Sequence, residues 1–511
     1  MLSLTDLRHD RPACPEAFNL AGHVLSRAKD DPDKIALAVL SLSGSERWSY
    51  GRLEATVLRL AGALKAQGLS EGDRVLMRLG NTVEFPLAYL AAIAAGLVPV
   101  PTSSQLTGPE IAKLAADLEP ALIFAGEGIA LPDPCHCPVV AEAELHDMAA
   151  HAPMEPVPGD PDRPAYIVYT SGTSGTPRGV IHAHRAIWAR QMMMQGWYGL
   201  GAADRLLHAG AFNWTYTLGT GLMDPWTMGA TALIPAAGVA PAQLPLLLKR
   251  HDATIFAAAP GVFRQMLRAP MPALPKLRHA LSAGEKMPAV TRHAWTEATG
   301  KQVHEAFGMS EVSTFLSGCP GRPAPEGTLG FAQAGRCIAL LDEDGRAVER
   351  GTPGTIAVAA DDPGLMLGYL HAEDETRARY TDDGRWFLTG DLGEMDAAGA
   401  IAYLGRSDDM MNAGGFRVSP IEVETALAAH PQVTEAAAVE IAVKEGASII
   451  AAFYAGEPVP EAELAAHAAE RLARYKCPRL FVHCASLPRS PNGKLMRRKI
   501  RQDYETSHDQ A

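Results

Sequence analysis

The chain has 511 residues, 47% of them hydrophobic and 20% charged, a length and composition that suit about three domains or subdomains and exclude a disordered protein. Its formal net charge of -12 disfavours general binding to nucleic acids, because a phosphate backbone would be repelled over most of the surface. The N-terminus has no apolar signal segment, no apolar run reaches the ~18 residues of a membrane span, and the seven cysteines are scattered, so we expect a soluble cytoplasmic protein.

The first part of the chain alternates between short apolar runs and segments with apolar residues at helical spacing. This alternation is typical of α/β folds with largely parallel sheets. The predicted helices are Leu20–Ala28, Leu53–Leu64 and Phe85–Ala95, and the predicted strands are Ile35–Val39, Arg74–Leu79, Val98–Val100 and Ala121–Phe124.

A segment rich in glycines and hydroxyl side chains follows the predicted strand Ala165–Tyr169. Glycines let backbone N–H groups approach an anion, and the Ser, Thr and Arg side chains add donors, so the segment predicts a phosphate-binding loop. It is not a Walker A loop, because no Gly-Lys-Ser/Thr follows the glycines, and taken alone it leaves open a flexible turn. Its candidate donors are Thr170, Ser171, Gly172, Thr173, Ser174, Gly175, Thr176 and Arg178.

The α/β pattern continues to about residue 306, and alternating β-type runs with turns begin at Cys337. The final section has its own pattern of helix, strand, strand and helix, so we place a domain boundary near Ser407, with domains at 1–406 and 407–511. Further predicted strands are Ala232–Ile234, Thr254–Ala258, Leu277–Ser282, Gln302–Ala306, Ile338–Leu341, Gly354–Val358, Val433–Val443 and Ser448–Tyr454, and further helices are Leu244–Arg250, Ile421–Ala429 and Glu461–Arg474.

Three charged residues after the loop are candidates for chemistry. Glu311 follows a predicted strand, where α/β proteins place ligand groups, and a hard carboxylate there suits Mg²⁺. Asp391 lies between glycines and suits acceptance from two ribose hydroxyls, although an Asx-turn is the plainer alternative. Lys494 follows Asn-Gly on a predicted turn, where its ammonium could stabilise charge on a phosphoryl oxygen or simply be exposed.

Two other patterns have plainer explanations. Cys135-His136-Cys137 is flanked by prolines and has no second Cys/His pair at zinc-finger spacing, so we assign no metal site there. Ten Lys or Arg and no Asp or Glu occur from Arg471 to Arg501, which suits either a small polyanionic ligand or a solvated basic face.

Five motifs in order resemble those of the adenylate-forming superfamily of acyl- and aryl-CoA synthetases, luciferases and peptide-synthetase adenylation domains. The resemblance extends from about residue 20 to 501, and it implies a large α/β N-terminal adenylation domain with a small β-rich unit, followed by a small mobile α+β C-terminal domain. The motifs are Tyr169–Gly179, Phe307-Gly-Met-Ser-Glu311, Thr389-Gly-Asp391, Gly405-Arg406-Ser-Asp408-Asp409 and Pro488–Lys494.

The resemblance implies ATP, Mg²⁺ and coenzyme A as ligands. The loop from Thr170 would hold the β- and γ-phosphates, Glu311 would bind Mg²⁺, and Lys494 would bridge the α-phosphate and the substrate carboxylate. The adenine pocket would be lined by the segment Ser282–Glu285, which contains Gly284, and by Phe307. Further ATP-binding residues would be Gly308, Met309 and Ser310. Ribose would be bound by Asp391 and Arg406, the phosphate during thioester formation by Arg417, and the pantetheine by Gly414, Gly415 and Phe416, with Asp408 as the hinge.

The segments Ser310–Ser317 and Gly221–Ala232 most resemble those of benzoate-type CoA ligases. Gly308 stands where acetate-specific relatives have a pocket-closing Trp, so we expect room for an aromatic, alicyclic or short- to medium-chain acid. Phe212, Trp214 and Tyr216 could line its pocket, with core packing as the alternative. Arg178 departs from the usual Lys of the phosphate loop.

The implied reaction has two steps: the carboxylate attacks ATP to give acyl-AMP and pyrophosphate, and CoA then takes the acyl group. A carrier protein as acceptor and a non-catalytic nucleotide-binding module are the alternatives. The context of Lys494 also resembles that of lysines acted on by protein acetyltransferases and deacetylases. The sequence leaves a homodimer open.

Overall fold

The computed structural model describes residues 1–170, 177–406, 409–413, 416–444, 447–489 and 495–508. The chain forms two compact units. The large unit comprises Thr5–Cys337 and Ala359–Phe387, and the small unit comprises Met1–Leu4, Ile338–Val358 and Leu388–Ala511. Among the described residues, no helix is both long and apolar enough to cross a membrane.

The large unit contains a nine-stranded sheet whose six central strands are parallel and whose edge strands are antiparallel. The parallel strands are mostly buried and largely apolar, as expected for strands covered on both faces, although they also bury polar residues such as His208, His304 and Glu305. In spatial order the strands are Phe331–Ala332, Ser313–Ser317, Val303–Met309, His279–Ala283, Ile255–Ala258, Arg205–Ala209, Thr231–Pro235, Ile35–Leu40 and Ser45–Ser49.

Two smaller sheets complete the β-structure described in the large unit. One is parallel, with strand order Val98–Pro101, Arg74–Arg78, Leu122–Ala125 and Val139–Ala141. The other is antiparallel, with strand order Gly368–Tyr369, Arg178–Ala183 and Pro164–Thr170.

Helices pack around these sheets through their apolar residues, and in the helix Glu84–Ala94 every residue after Glu84 is buried. The helix Tyr50–Ala66 begins after Ser49, whose Oγ accepts a hydrogen bond from the backbone N–H of Arg52 at 3.2 Å. The other α-helices of the large unit are Leu20–Leu25, Glu84–Ala94, Gly108–Leu118, Glu144–Met148, Arg185–Ala189, Gln191–Met193, Asp224–Thr227, Leu244–Arg250, Pro260–Met266, Ala289–Thr299 and Glu373–Arg377, and π-helical turns lie at Met194–Tyr198 and Thr217–Met223.

The small unit is built mainly from β-strands. A five-stranded sheet has the order Leu4–Asp6, Cys337–Leu341, Gly354–Ala359, Trp386–Met395 and Ile401–Arg406. Two further sheets contain Met411–Ala413 with Phe416–Val418, and Val433–Lys444, Ala447–Gly456 and Leu480–His483. The α-helices of this unit are Pro420–Ala428, Glu461–Ala469 and Arg497–His508.

The predicted α/β class with largely parallel sheets is confirmed. Several predicted boundaries were wrong: the helix predicted at Leu20–Ala28 ends at Leu25, and the helix predicted at Glu461–Arg474 ends at Ala469. A short 3-10 helix, Arg474–Lys476, follows it and ends before Pro478, whose ring and missing N–H are incompatible with a continuing helix. The strand Arg178–Ala183 was not predicted, because the run is short and its glycine and histidine mask the apolar alternation.

Candidate functional site

The predicted phosphate loop connects two antiparallel strands of the large unit. Thr170 ends the strand Pro164–Thr170, Arg178 begins the strand Arg178–Ala183, and the two residues are paired across the strands. Ser171, Gly172, Thr173, Ser174, Gly175 and Thr176 lie outside the described residues, so their phosphate contacts stay a prediction.

Tyr369 connects the stem of this hairpin to Glu311. The strand Gly368–Tyr369 pairs with Arg178–Ala183 and places Tyr369 opposite Val180. The hydroxyl of Tyr369 donates a buried hydrogen bond of 2.7 Å to Oε1 of Glu311. The guanidinium carbon of Arg178 lies 5.5 Å from the centroid of the Tyr369 ring, which is a cation–π distance. Arg178 and Glu311, which belong to different motifs, are therefore linked through one tyrosine.

The electrostatics of Tyr369 favour its role as a donor. Burial, and next the carboxylate of Glu311, raise the pKa of the Tyr369 hydroxyl. The hydroxyl therefore keeps its proton at neutral pH. Hydrogen bonds between a neutral donor and a carboxylate are stronger than those between neutral groups.

The backbone on both sides of the Glu311 carboxylate is also held in place. The backbone N–H of Met366 donates to the carbonyl of Glu311 at 2.7 Å. Nε2 of His182 lies 2.6 Å from the carbonyl of Ser310, and since a carbonyl only accepts, this nitrogen carries the proton. Burial lowers the pKa of His182 to about 4, so the ring is neutral.

Glu311 fits the expected Mg²⁺ ligand in chemistry and placement. Its side chain is buried, it belongs to the short connection between two strands of the central sheet, and its carboxylate is oriented by Tyr369. Mg²⁺ prefers oxygen ligands and is commonly held by one or two carboxylates together with substrate phosphates. A single oriented carboxylate is compatible with that ligand set.

The segments predicted to bind ATP contain two glycines, Gly284 and Gly308, that no other residue could replace without displacing a neighbour. Gly284 has a φ of +96°, and a Cβ there would lie 2.6 Å from Cζ2 of Trp214. A Cβ on Gly308 would lie 2.1 Å from the carbonyl oxygen of Ser313. The hairpin turn thus requires Gly308 for its own reasons, and its role in widening the acyl pocket stays a prediction. The predicted ATP-binding residues next to these glycines in the sequence are half-buried. They are Glu285, Phe307, Met309 and Ser310.

The three aromatic residues predicted for the acyl pocket have different surroundings. Phe212 is buried, with its ring 5.5 Å from that of Phe85 in the main core. Tyr216 is buried, and its hydroxyl donates to the carbonyl of Leu281 at 3.2 Å. Trp214 is half-buried and meets the Tyr216 ring edge-on at 5.2 Å. All three pocket roles stay predictions.

In the small unit, the predicted ribose residues Asp391 and Arg406 lie on adjacent strands and face each other in register. Nε of Arg406 lies 3.3 Å from Oδ1 of Asp391, and the hydroxyl of Tyr403 donates to the same oxygen at 2.9 Å. Asp391 is buried and its backbone N–H donates to Oγ1 of Thr389 at 3.1 Å. The carboxylate is therefore held in one orientation.

Lys494 and its turn lie outside the described residues, but both flanks are ordered by defined contacts. Arg489 and Leu495 form an antiparallel bridge, and the backbone N–H of Met496 donates to the carbonyl of Pro488 at 2.9 Å. Arg497 donates two hydrogen bonds of 2.7 Å to the carboxylate of Glu424. The chain that carries Lys494 is thereby tied to the helix Pro420–Ala428.

The remaining predicted residues of the small unit are described only in part. Asp408, Gly414 and Gly415 lie outside the described residues. Phe416 and Arg417 belong to the strand Phe416–Val418, which pairs with Met411–Ala413, and their side chains are not described. Their roles as hinge, CoA-binding and phosphate-binding residues stay predictions.

The basic stretch near the C-terminus proves to be extensively paired with acidic residues of the same unit. The pairs are Arg471 with Glu470, Lys476 with Glu422, Arg489 with Glu435, Arg497 with Glu424, Lys499 with Asp503 and Arg501 with Glu505. These contacts favour a structural role for most of the stretch over a general polyanion site.

Comparison with known proteins places this geometry in a family. The sequence profile described as "AMP-binding enzyme" matches residues 25–370, and "AMP-binding enzyme C-terminal domain" matches residues 422–494. The chain belongs to the AMP-binding enzyme family. Benzoate–CoA ligase of Thauera aromatica is 31% identical to it over 98% of this chain and 99% of the relative. The 3-hydroxybenzoate–CoA ligase of Aromatoleum sp. (strain CIB) is 30% identical over 90% of this chain and 92% of the relative.

A solved structure agrees. A benzoate CoA ligase from Burkholderia xenovorans LB400 superposes with a TM-score of 0.84 at 29% identity, covering 95% of this chain and 100% of the other. Membership of the family and its benzoate-type branch, which the motifs predicted, are confirmed.

Within this AMP-binding enzyme, sequence reasoning missed several residues that hold the predicted ones. Tyr369, Tyr403 and His182 each contact a residue next to or within a predicted motif. The only signals were a Gly-Tyr pair at 368–369 and the start of the run Tyr403–Arg406. A tyrosine has no spacing that marks it as a carboxylate donor, so only the fold could identify these residues.

Proposed function

We propose that the protein is an AMP-forming acid–CoA ligase that converts a carboxylic acid, ATP and CoA to acyl-CoA, AMP and pyrophosphate. The observation that carries the proposal is the buried Glu311 carboxylate, oriented by Tyr369 beside the stem of the predicted phosphate loop. Family membership and two relatives that are CoA ligases for aromatic acids support it.

In the first step a carboxylate oxygen of the acid attacks the α-phosphorus of ATP, and the bond to the β-phosphate oxygen breaks to release pyrophosphate. In the second step the CoA thiol attacks the carbonyl carbon, its proton leaves to solvent, and AMP departs with the former carboxylate oxygen. Neither step needs a nucleophilic side chain, because ATP supplies the activation and the protein supplies position and charge.

The described residues have separate tasks in this scheme. Glu311 would hold Mg²⁺, which would supply positive charge to the phosphates. Tyr369 keeps the Glu311 carboxylate in place, and Arg178 supplies a cation next to the loop. Asp391, oriented by Tyr403 and Arg406, accepts hydrogen bonds from ribose hydroxyls.

Lys494 acts in adenylation and Arg417 in thioester formation, each on the C-terminal domain that we place at 407–511. Asp408 serves as the hinge, and Gly414, Gly415 and Phe416 contact the pantetheine.

The seven cysteines form no disulfide in the structure, which supports a working location in the reducing cytoplasm.

The separation of half-reactions tests this assignment. We expect Lys494→Ala to lose acid-dependent adenylation by at least ~100-fold, while thioester formation from supplied acyl-AMP falls less than about threefold. Lys499→Ala, at an exposed lysine paired with Asp503, is the matched control and should change neither step. Equal loss of both half-reactions in Lys494→Ala would contradict the assigned role.

We also propose that Lys494 is a substrate for a protein acetyltransferase, because acetylation removes the ammonium that adenylation needs. Chemically or enzymatically acetylated protein should lose adenylation and regain it after deacetylation. Mass spectrometry of protein from native cells that always shows unmodified Lys494 would reject the proposal.

A further inference from the structure

A small cavity of about 20 Å³ in the large unit adjoins the segments that the proposed function assigns to the acid. Thr215 lines it and stands between Trp214 and Tyr216, two residues of the predicted acyl pocket. Ser310 also lines it and immediately precedes Glu311. A cavity of this volume accommodates one water molecule or one hydroxyl group but is too small for an aromatic ring.

One wall of the cavity is formed by a buried arginine, which is unusual in a site expected to hold an apolar ring. Arg190 is buried and donates hydrogen bonds of 2.7 and 2.6 Å to the two oxygens of Asp224. Although burial opposes its charge, Asp224 raises the pKa of Arg190, so the two form an ion pair with no net charge.

Arg190 also connects this ion pair to the strand Ser313–Ser317, which follows Glu311. Nη1 of Arg190 lies 2.6 Å from Oγ of Ser313, which lines the same cavity. The guanidinium lies against Gly219, where a Cβ would come within 2.4 Å of Cζ. A glycine is therefore required at 219 for the guanidinium to occupy this position.

His182 also lines the cavity and offers a hydrogen-bond acceptor, whereas Arg190 offers donors. Its Nε2 donates to the carbonyl of Ser310, so Nδ1 is left as an acceptor. The residue is only 2% exposed, and Nδ1 has no hydrogen-bond partner in the part of the chain that the structure describes. A buried acceptor without a donor is costly, so a donor from a ligand would be bound favourably.

We propose that this cavity selects acids that carry a hydroxyl group on the acyl part, and that the hydroxyl donates to Nδ1 of His182 and accepts from the Arg190–Ser313 pair. The proposal rests on the proposed function. An anionic substituent is disfavoured, because Asp224 already balances Arg190 and the lone pair of His182 would repel a second negative charge. A fluoro or methyl substituent offers no proton to His182.

Matched pairs of acids test the proposal with the intact protein, ATP, Mg²⁺ and CoA. The pairs are benzoate against each of the 2-, 3- and 4-hydroxybenzoates and fluorobenzoates, and butyrate against 3-hydroxybutyrate. We expect at least one hydroxylated acid to exceed both its unsubstituted and its fluorinated analogue at least ~tenfold in kcat/KM, because a site built for a hydroxyl rejects analogues that lack it.

Three variants test whether a preference for hydroxylated acids arises from the residues of the cavity. His182→Gln retains a nitrogen donor for the Ser310 carbonyl but removes the Nδ1 acceptor, and Gly219→Ala displaces the guanidinium. Both should reduce the hydroxyl preference to less than about threefold. Gly261→Ala, where the nearest atom to a new Cβ is Nη2 of Arg264 at 3.8 Å, is the control and should leave the preference unchanged.

The outcomes separate this proposal from the proposed function. If several acids form thioesters with no hydroxyl preference, the cavity holds a water molecule only and the inference is overturned while the ligase assignment stands. If the His182→Gln variant loses rate equally for hydroxylated and unsubstituted acids, His182 has only a structural role and the inference is again wrong. If no acid releases AMP, the proposed function itself fails.

Discussion

At the scale of single residues, Tyr369 is the most informative side chain of the large unit. It donates to Glu311, lies beneath the guanidinium of Arg178, and belongs to a two-residue strand that pairs with the hairpin stem. Arg178 stands where the predicted phosphate loop is expected to carry a lysine, and its planar guanidinium is better suited than an ammonium to lie over an aromatic ring. The arginine at this position of the motif is thus matched by the aromatic ring of Tyr369, over which its guanidinium lies.

Tyr369→Phe should weaken the binding of ATP in the presence of Mg²⁺ about tenfold and change its binding without Mg²⁺ less than about twofold. The reason is that the variant removes only the hydroxyl that orients the expected metal ligand, and residues that orient metal ligands commonly affect metal affinity by this factor or more. Isothermal titration calorimetry with and without Mg²⁺ measures both affinities.

The control for this prediction is Tyr380→Phe, a half-buried tyrosine whose ring packs against Phe387. It should alter neither affinity. An equal loss of affinity with and without Mg²⁺ in Tyr369→Phe would show that the tyrosine supports the fold rather than the metal ligand.

Motif spacing was sufficient to identify Glu311, Asp391 and Arg406 as candidates, and the structure shows that Asp391 and Arg406 form an ion pair. Motif spacing could not identify Tyr369, Arg190 or His182. Their contacts join residues that are distant in the sequence, and the single residue types involved are common in ordinary cores. The ion pair of Arg190 with Asp224 is an example, because neither residue lies in any motif.

At the scale of elements, the helix Arg497–His508 is anchored at its first residue. Arg497 forms an ion pair with Glu424 on the helix Pro420–Ala428 and lies 3.4 Å from Asp409. The pair is mostly buried, and although burial opposes the charge, Glu424 raises the pKa of Arg497. The contact ties the residues that follow Lys494 to a fixed helix.

Arg497→Leu should destabilise the small unit by about 3 kcal/mol, because removal of one partner leaves the buried Glu424 carboxylate unpaired. Differential scanning calorimetry measures the effect. Lys499→Leu, which breaks an exposed pair on the same helix, should cost no more than about 0.5 kcal/mol. Similar losses in both variants would contradict the anchoring role of Arg497.

The strand Val303–Met309 contains a carboxylate that should make stability depend on pH. Burial outweighs the attraction of Arg292 and raises the pKa of Glu305 to about 7. Between about pH 4.5 and 7 the folded protein holds a proton that the unfolded chain releases. The free energy of unfolding therefore falls as the pH rises through that range, by up to about 3 kcal/mol from this group.

Glu305→Gln removes this titration. Relative to the variant, the wild-type protein should be more stable at pH 5 than at pH 8, as measured by urea unfolding at both values. Parallel pH profiles for the two proteins would show that Glu305 is ionised throughout the range.

Element prediction worked best where the hydrophobic pattern alone decides. The helix Leu244–Arg250 was predicted to the residue, and five of the nine strands of the central sheet were predicted to within about three residues at each end, whereas Arg205–Ala209 and three edge strands were missed. The prediction failed where a strand forms because it pairs with other strands. An example is Arg178–Ala183, which pairs with the preceding strand Pro164–Thr170 and with the much later strand Gly368–Tyr369. Register across such distances is not encoded in any local period.

At the scale of the whole molecule, the order of motifs predicted the family and the fold class, and both are confirmed. The identity of the acid could not be predicted in the same way. In our proposal it depends on a few side chains around one cavity, which is lined by residues of the segments 166–190, 215–223 and 310–313.

The most direct test of the central claim follows oxygen from the acid into the nucleotide. The protein is incubated with ATP, Mg²⁺, CoA and an accepted acid whose carboxylate carries ¹⁸O, and the products are analysed by mass spectrometry. If acyl-AMP is the intermediate, each AMP gains one ¹⁸O and acyl-CoA keeps the other, with AMP, pyrophosphate and thioester in equal amounts. Formation of ADP with label in inorganic phosphate, or of AMP without label, would contradict the account.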